Sequence, residues 1–149
     1  MPFSDEEITY LRSQRLARLA TVASDGQPDV VPVGYEFDGA HVYVGGLGVE
    51  RTRKFRNVQD GNTKVALVVD DLVSADPWTP RYLRIYGSAA PVERAGSYGP
   101  GTYLEITPTV SWSSNLEARP FSADHEVVIR RTVHQPAYAV GDGPQRDEQ

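Results

Sequence analysis

Residues 45–57 concentrate the residue types that bind phosphate. Glycine fills three of their first four positions, and four cations follow within six residues: Arg51, Arg53, Lys54 and Arg56. The whole chain has 15 basic and 20 acidic residues and a net charge of −5, so this cluster runs against the overall balance. Glycine lets a ligand approach the backbone, and the start of a helix favours an anion. The stretch predicts an anion site, most simply one for phosphate.

Helical spacing places these cations on one short helix. Val49, Thr52, Phe55 and Val58 recur at intervals of three and predict its buried side. Asn57 lies three residues after Lys54 and four after Arg53, so it shares a face with each of them. A simpler interpretation stays open at this point, because a run of charges on a helix is often only a solvated face.

Few other residues in the chain suggest a reaction. Cysteine is absent, which excludes disulfides and thiolate sites. The three histidines, at positions 41, 125 and 134, have no second ligand at metal spacing, so we expect no metal site. No nucleophile motif or pair of catalytic carboxylates is present. Chemistry would therefore have to come from a bound cofactor, anchored at residues 45–57.

Composition also limits the partners and the location. The acidic net charge argues against nucleic-acid binding, which needs a broad basic surface. No stretch approaches the roughly 20 apolar residues of a membrane span, and no apolar leader begins the chain. We therefore expect a cytoplasmic protein that contacts neither nucleic acid nor membrane.

Alternating and turn-rich segments predict a mainly β protein with few helices. A capping box at Ser4 and Glu7 starts a helix that ends near Gln14. We expect an antiparallel meander of three strands, then a helix, then three or four further strands, with a loop at residues 70–80. The predicted strands are residues 16–22, 29–37, 40–44, 63–69, 82–92, 103–112 and, less regularly, 127–133. This pattern predicts a β-barrel domain over residues 1–133 and a loosely held tail over residues 134–149.

The second predicted strand contains Pro32 and Gly34, which strand interiors disfavour. One explanation is an edge strand with a bulge. Another is that the strand stops pairing there and offers free backbone groups to a flat ligand. The two are compatible, because bulges often direct backbone groups towards a site. A second bulge or break is expected at Pro108.

Over residues 4–117 the chain resembles the flavin- and deazaflavin-binding proteins of the pyridoxamine 5'-phosphate oxidase-like split β-barrel superfamily. The resemblance is to the actinobacterial branch, whose members mostly use coenzyme F420. Its motifs follow one another in the family order. They are residues 19–28, Val31-Pro32-Val33, residues 52–57, residues 64–71, residues 76–81, residues 103–108 and Val110-Ser111-Trp112.

The resemblance implies a homodimeric, six- to seven-stranded antiparallel split β-barrel with a few short helices, and a cofactor in each groove between subunits. Val31, Pro32 and Val33 would lie along the tricyclic ring. The ribityl chain and phosphate would be held by Gly45, Gly46, Thr52, Arg53, Lys54 and Asn57, with Lys54 matching most firmly. Pro77, Trp78 and Arg81 would close on the site from the other subunit. Alternatively, Trp78 only anchors its loop and Arg81 only pairs with Asp76.

Both F420 and FMN have a phosphate on a ribityl chain, so the anchor fits either cofactor. F420 continues into an acidic tail, for which Arg51, Arg53 and Arg56 would be useful, and the family branch favours it. The expected function is an F420-dependent reductase that transfers a hydride to an electron-poor double bond of a small or polycyclic metabolite. The alternatives are an FMN-dependent oxidoreductase and a non-enzymatic cofactor or heme carrier. Tyr35, Tyr43, Tyr82 and His41 are possible proton donors, but no motif selects one, and the substrate is not specified.

Overall fold

The computed structural model of the protein describes residues 2–134. Within them lie two α-helices, α1 (Asp5–Ser13) and α2 (Arg53–Gln59), with a single 3-10 turn at Val49–Arg51. The eight strands are β1 (Leu16–Val22), β2 (Pro28–Gly34), β3 (Glu36–Phe37), β4 (Val42–Val44), β5 (Lys64–Ala75), β6 (Trp78–Gly96), β7 (Gly99–Ser114) and β8 (Ile129–Val133). The predicted tail lies outside the described residues except for His134.

All the strands belong to one antiparallel sheet. Its order is β2-β1-β5-β6-β7-β4-β3, and β8 pairs with β7. The two ends of this order, β2 and β3, are neighbours in the chain and are separated only by Tyr35. The sheet must therefore curl until its edges meet at Tyr35, which makes an incompletely closed barrel. The predicted mainly β antiparallel split barrel is confirmed.

Alternate strand residues fill the interior of the barrel. Leu19, Leu67 and Ile85 occupy the same row of neighbouring strands and are at most 1% exposed. Helix α2 adds Phe55 and Val58 to this core, as its spacing predicted. Burying these apolar side chains is the main term that fixes the helix against the sheet.

Helix α1 begins as the sequence predicted. The Ser4 hydroxyl accepts from the Glu7 backbone N–H at 3.1 Å, and the Glu7 carboxylate accepts from the Ser4 N–H at 2.9 Å. Tyr10 and Leu11 are buried on the inner side of the helix. The capping box therefore sets the position from which Tyr10 reaches the sheet.

The predicted three-strand meander is wrong in one respect. Residues 29–37 form two strands, because the chain turns from one sheet edge to the other at Tyr35. The Tyr35 hydroxyl donates to the carbonyl of Leu11 at 2.6 Å and ties this corner to α1. Strand β2 is an edge strand, as expected, but its register with β1 runs unbroken through Pro32, so it has no bulge there.

The predicted loop at residues 70–80 is also wrong. β5 and β6 continue as a hairpin whose last pair is Ala75 with Trp78, around a turn that contains a cis peptide between Asp76 and Pro77. We call residues 70–81 the hairpin arm. The polar sequence suggested a loop, but Asp71 pairs with Arg81 across the two strands. The bulge expected at Pro108 is confirmed by a register shift in β6–β7 between Tyr86 and Gly87.

Candidate cofactor site

The segment between β4 and α2 changes direction through glycine and then starts the helix on a threonine cap. Gly48 has a φ of 68°, which favours glycine. The Thr52 hydroxyl donates to the Val49 carbonyl at 2.6 Å and accepts from the Phe55 N–H at 3.4 Å. This cap satisfies one of the helix's first N–H groups, and α2 has only seven residues. An anion bound here would therefore depend on side chains more than on the helix dipole.

Gly45 and Gly46 are each glycine for a different structural reason. A Cβ on Gly45 would fall 2.4 Å from the ring of Tyr103, so this glycine makes room for a buried tyrosine. At Gly46 the φ is 140°, and a Cβ there would have no other atom within 4 Å. Of the two predicted contacts, Gly46 has the open backbone that a ligand could approach.

Lys54 is the cation best prepared to bind an anion. Its side chain is partly buried, and burial lowers the pKa of its ammonium group, while Asp29 on β2 opposes that shift. Among residues 2–134 it makes no hydrogen bond or ion pair. A desolvated ammonium without an acceptor gains more from a phosphate than a solvated one does. The electrostatic effect of Asp29 places Lys54 near β2, the strand predicted to lie along the ring.

A groove of about 420 Å³ lies between α2 and the turn that joins β1 to β2. Arg53 and Asn57 line it from the helix. The carboxylates of Asp25, Asp29 and Asp60 also line it and outnumber its one guanidinium group. The groove therefore suits neutral polar groups better than a phosphate.

Asn57 is a structural link as well as a predicted contact. It is 1% exposed, and its side-chain N–H donates to the Thr21 hydroxyl at 2.9 Å, which fixes α2 to β1. Its Oδ1 atom is buried without a hydrogen-bond partner among the described residues. A donor group in the adjacent groove would satisfy that oxygen.

The strand predicted to lie along the ring is the free edge of the sheet. Pro32 is exposed opposite Arg18, Val31 is partly buried and Val33 is 6% exposed on the core side. In the sheet formed by residues 2–134, β2 pairs only with β1. One set of its backbone groups therefore faces no strand and is available to a flat ligand.

The hairpin arm places Pro77 and Trp78 at its tip, away from the groove lined by Arg53. Trp78 is 53% exposed. Arg81 instead forms a two-point ion pair with Asp71, at 2.8 Å and 3.2 Å. The Tyr10 hydroxyl donates to the same carboxylate at 2.7 Å, and the Arg81 guanidinium lies 4.9 Å from the centre of the Tyr10 ring.

These contacts shift the pKa values of Tyr10 and Asp71. Burial and the hydrogen bond to Asp71 raise the pKa of Tyr10. Burial acts against ionisation of Asp71, but the hydrogen bonds from Arg81 and Tyr10 outweigh it and hold the pKa of Asp71 below its ordinary value. The alternative role for Arg81, an ion pair with Asp76, is wrong in its partner: Arg81 pairs with Asp71, which lies opposite it across the arm.

Within one chain, the structure thus brings together only part of the predicted site. Arg53 and Asn57 line the groove together with Asp29 of β2, and Lys54 interacts electrostatically with Asp29. Trp78 and Arg81 lie on the arm instead. The roles of two residues were not predicted from the sequence: Asp29 acts electrostatically on Lys54, and Asp71 holds Arg81. Asp29 could have been suspected because it lies two residues before Val31 on the same strand.

The candidate proton donors are mostly engaged. Burial raises the pKa of Tyr35 to about 12, and its hydroxyl is bound to Leu11. Burial, with hydrogen bonds to Asp38 and Glu105, raises the pKa of Tyr43 to about 12. His41 lies 3.5 Å from Asp38. No cluster of three metal-ligating side chains occurs in residues 2–134, and none of their helices is long and apolar enough to cross a membrane.

Comparison with known proteins identifies the family. The model of the pyridoxamine 5'-phosphate oxidase family matches residues 3–133. The chain belongs to this family. Over 98 residues it is 45% identical to a 5a,11a-dehydrotetracycline/5a,11a-dehydrooxytetracycline reductase from Streptomyces rimosus, a match that covers 64% of this chain and 68% of the reductase.

Solved structures share the fold of this family member. A conserved hypothetical protein from Mycobacterium tuberculosis has a TM-score of 0.63 at 20% identity, covering 83% of this chain and 93% of its own. An F420 reductase has a TM-score of 0.53 at 24% identity, covering 65% and 88%. At 20% and 24% identity, these two structures show only that the fold is shared.

Proposed function

We propose that this protein is an F420-dependent reductase that acts on an electron-poor double bond of a small or polycyclic metabolite. The observation that best supports it is Lys54, a partly buried cation that faces β2 and has no acceptor among the described residues. The 45% identity to a reductase supports the oxidoreductase class. Family membership supports a flavin-type or deazaflavin cofactor.

The residues present fit such a cofactor. Lys54 would hold the phosphate, with Thr52 beside it, and the open backbone at Gly46 would accept the ribityl chain. The exposed arginines Arg51 and Arg53 would meet the acidic tail of F420, which FMN lacks. The free edge at Val31–Val33 would support the ring. Bound reduced F420 would supply the hydride, and these residues would orient it and exclude water.

We also propose that the protein is a homodimer whose subunits complete each other's sites. Large apolar side chains are exposed on the arm, at Leu72, Val73 and Trp78, and near the β2 edge, at Leu16. A second copy would cover them and carry Trp78 and Pro77 to the partner's cofactor. Arg81, held by Asp71, would then stiffen the arm that carries Trp78.

Turnover tests the proposal. Purified protein should oxidise reduced F420 when given an enone or a quinone, followed by recovery of F420 absorbance and fluorescence. Reduced FMN serves as the control cofactor. Turnover with FMN alone would assign the protein to the FMN-dependent class. Cofactor binding without turnover on any electron-poor acceptor would indicate a carrier.

A separate measurement tests the dimer. Light scattering after gel filtration should give twice the chain mass of 16.4 kDa. Trp78→Ala should weaken association or cofactor binding while the monomer fold persists. A monomer that still turns over would refute the proposed sharing of sites.

A further inference from the structure

The outer face of the sheet has two adjacent rows of different chemistry. Strand register places one apolar row directly across five strands; its members are Val30, Ala20, Ala66, Tyr86 and Val110. The next row contains three arginines; its members are Pro32, Arg18, Val68, Arg84, Trp112 and Arg131. Both rows begin on β2, the strand proposed to lie along the cofactor ring.

Arg84 is held in place by aromatic stacking. Its guanidinium lies 4.1 Å from the centre of the Trp112 ring and 5.5 Å from that of Tyr86. The two rings themselves meet edge to face at 4.8 Å. Stacking uses the faces of the guanidinium and leaves its N–H edge free, which is the edge that binds a carboxylate.

No counter-ion neutralises Arg84 in residues 2–134, where it makes no ion pair or hydrogen bond. Arg18, in the same row, does have one, since Asp70 lies 3.6 Å away. Arg131 on β8 is the register partner of Trp112 and adds a second exposed cation. This end of the outer face is therefore positive on a chain whose net charge is −5.

Three members of the apolar row, Ala20, Ala66 and Tyr86, line a groove of about 610 Å³ that reaches from Pro28 on β2 to Thr109 on β7. Arg84 does not line the groove itself but stacks on Tyr86 at its border. The small side chains of Ala20 and Ala66 leave space in its middle, and the larger side chains of Val22 and Tyr86 line it beside them. No carboxylate lines the groove, whereas Lys64 does. From β2 to β6 is three strand spacings, roughly 14 Å, so an elongated ring system could reach from the cofactor strand to the Arg84 cluster.

We propose that this groove binds the substrate, as a flat and largely apolar ring system with one anionic group, a carboxylate or an enolate, on the edge of Arg84. The ring would lie on Ala20 and Ala66 against Tyr86. Its unsaturated end would point towards β2. The inference rests on the proposed reductase function only in naming the ligand as the substrate; the binding preference for an anion stands on the groove and on Arg84.

Anthracene-2-carboxylate and its neutral analogue anthracene-2-carboxamide test this proposal by fluorescence anisotropy on the full chain without cofactor. The carboxylate should bind about tenfold or more tightly than the carboxamide, as expected for one charge-assisted pair. Arg84→Gln should abolish that preference and leave carboxamide binding unchanged. Arg84→Lys should keep part of it, because charge remains while the planar fork is lost.

Arg12→Gln is the matched control. Arg12 is also an exposed arginine over an aromatic ring, 5.8 Å from the centre of Phe37, but it lies on α1. This variant should keep the full preference. Equal affinity for both probes, or an unchanged preference in Arg84→Gln, would overturn the proposal. The proposal would also be overturned if neither probe binds and the protein sediments as a dimer, because a second copy would then fill the groove.

A parallel titration with F420 separates this inference from the proposed function. If the probes show the Arg84-dependent preference and F420 does not bind, the anion site stands and the F420 assignment fails. If F420 binds and the preference is absent, the cofactor assignment stands and this substrate site is refuted.

Discussion

Lys54 and Arg81 are both cations that family resemblance predicts at the cofactor, yet the structure gives them opposite surroundings. Lys54 is partly buried beside β2 and has no acceptor among the described residues. Arg81 has a carboxylate at 2.8 Å and an aromatic ring under its guanidinium. A cation that makes no ion pair retains its binding energy for a ligand, whereas a paired one has already used it within the fold.

The same contrast separates Arg84 from Arg18 on the outer face. Arg84 is stacked but not neutralised, and Arg18 lies 3.6 Å from Asp70. Sequence alone presents all four residues as equivalent positive charges. Their partners, which only the folded chain reveals, divide them into groups available for ligands and groups that stabilise the fold.

Replacing Lys54 should have the largest effect on cofactor binding. In Lys54→Met the affinity for F420 should fall by about 1.5–3 kcal/mol, the range for a hydrogen bond to a charged group. Thermal stability should be unchanged or slightly higher, because a desolvated charge is removed. Fluorescence quenching gives the affinity, and circular dichroism gives the melting temperature.

Arg81→Gln provides the comparison for Lys54→Met. It should lower the melting temperature and change F420 affinity less than Lys54→Met does. If Arg81→Gln costs as much affinity as Lys54→Met, the distinction between paired and unpaired cations is wrong.

Removing the other half of the arm's ion pair should mainly affect stability. Asp71→Ala leaves the buried Tyr10 hydroxyl and the Arg81 guanidinium without their acceptor, which should cost about 2 kcal/mol of unfolding free energy. Urea denaturation measures this loss. A loss below a few tenths of a kcal/mol would show that the arm does not depend on the pair.

Asn57 should behave as part of the fold rather than as a phosphate ligand. Asn57→Ala removes the hydrogen bond to Thr21 and should cost about 1 kcal/mol of unfolding free energy. Its loss of F420 affinity should be small compared with the loss in Lys54→Met. Thr21→Val is its control, since it removes the same bond from the other side. An affinity loss in Asn57→Ala that Thr21→Val does not share would restore Asn57 as a cofactor contact.

The smallest expected effect is a difference in acid sensitivity. The pKa of Asp71 is lower in the folded protein than in the unfolded chain, so its contribution is present above the unfolded value near 3.8 and is lost as pH falls through the folded value. The melting temperature should therefore fall more between pH 6 and pH 3 in the wild type than in Asp71→Asn. Equal slopes would show that Asp71 contributes no such linkage.

Local patterns in the sequence predicted much of the fold. The capping box at Ser4, the buried side of α2 and the strand at residues 16–22 all appear as predicted, because each depends on residues close together in the chain. The arm was mistaken for a loop because its polar residues are satisfied across two strands, by partners such as Asp71 and Arg81. The turn at Tyr35 was missed because its partner, the Leu11 carbonyl, lies 24 residues away.

The candidate site likewise has parts that depend on neighbouring residues and parts that depend on residues distant in sequence. Charge and spacing suffice to propose residues 52–57 as a candidate anion anchor, and the cap at Thr52 and the partly buried Lys54 are consistent with it. The roles of Gly45 and Asn57 could not, because they depend on Tyr103 and Thr21, which are distant in sequence. The stack of Arg84 on Trp112 likewise requires the register of β6 with β7.

Parallel titration of the purified protein with F420 and with FMN, followed by fluorescence quenching, decides whether Lys54 anchors a deazaflavin cofactor. We expect saturable F420 binding that is weaker by about tenfold or more in Lys54→Met. FMN, which lacks the acidic tail, should bind less tightly than F420. Micromolar FMN binding without F420 binding, or F420 binding that Lys54→Met leaves unchanged, would contradict this assignment.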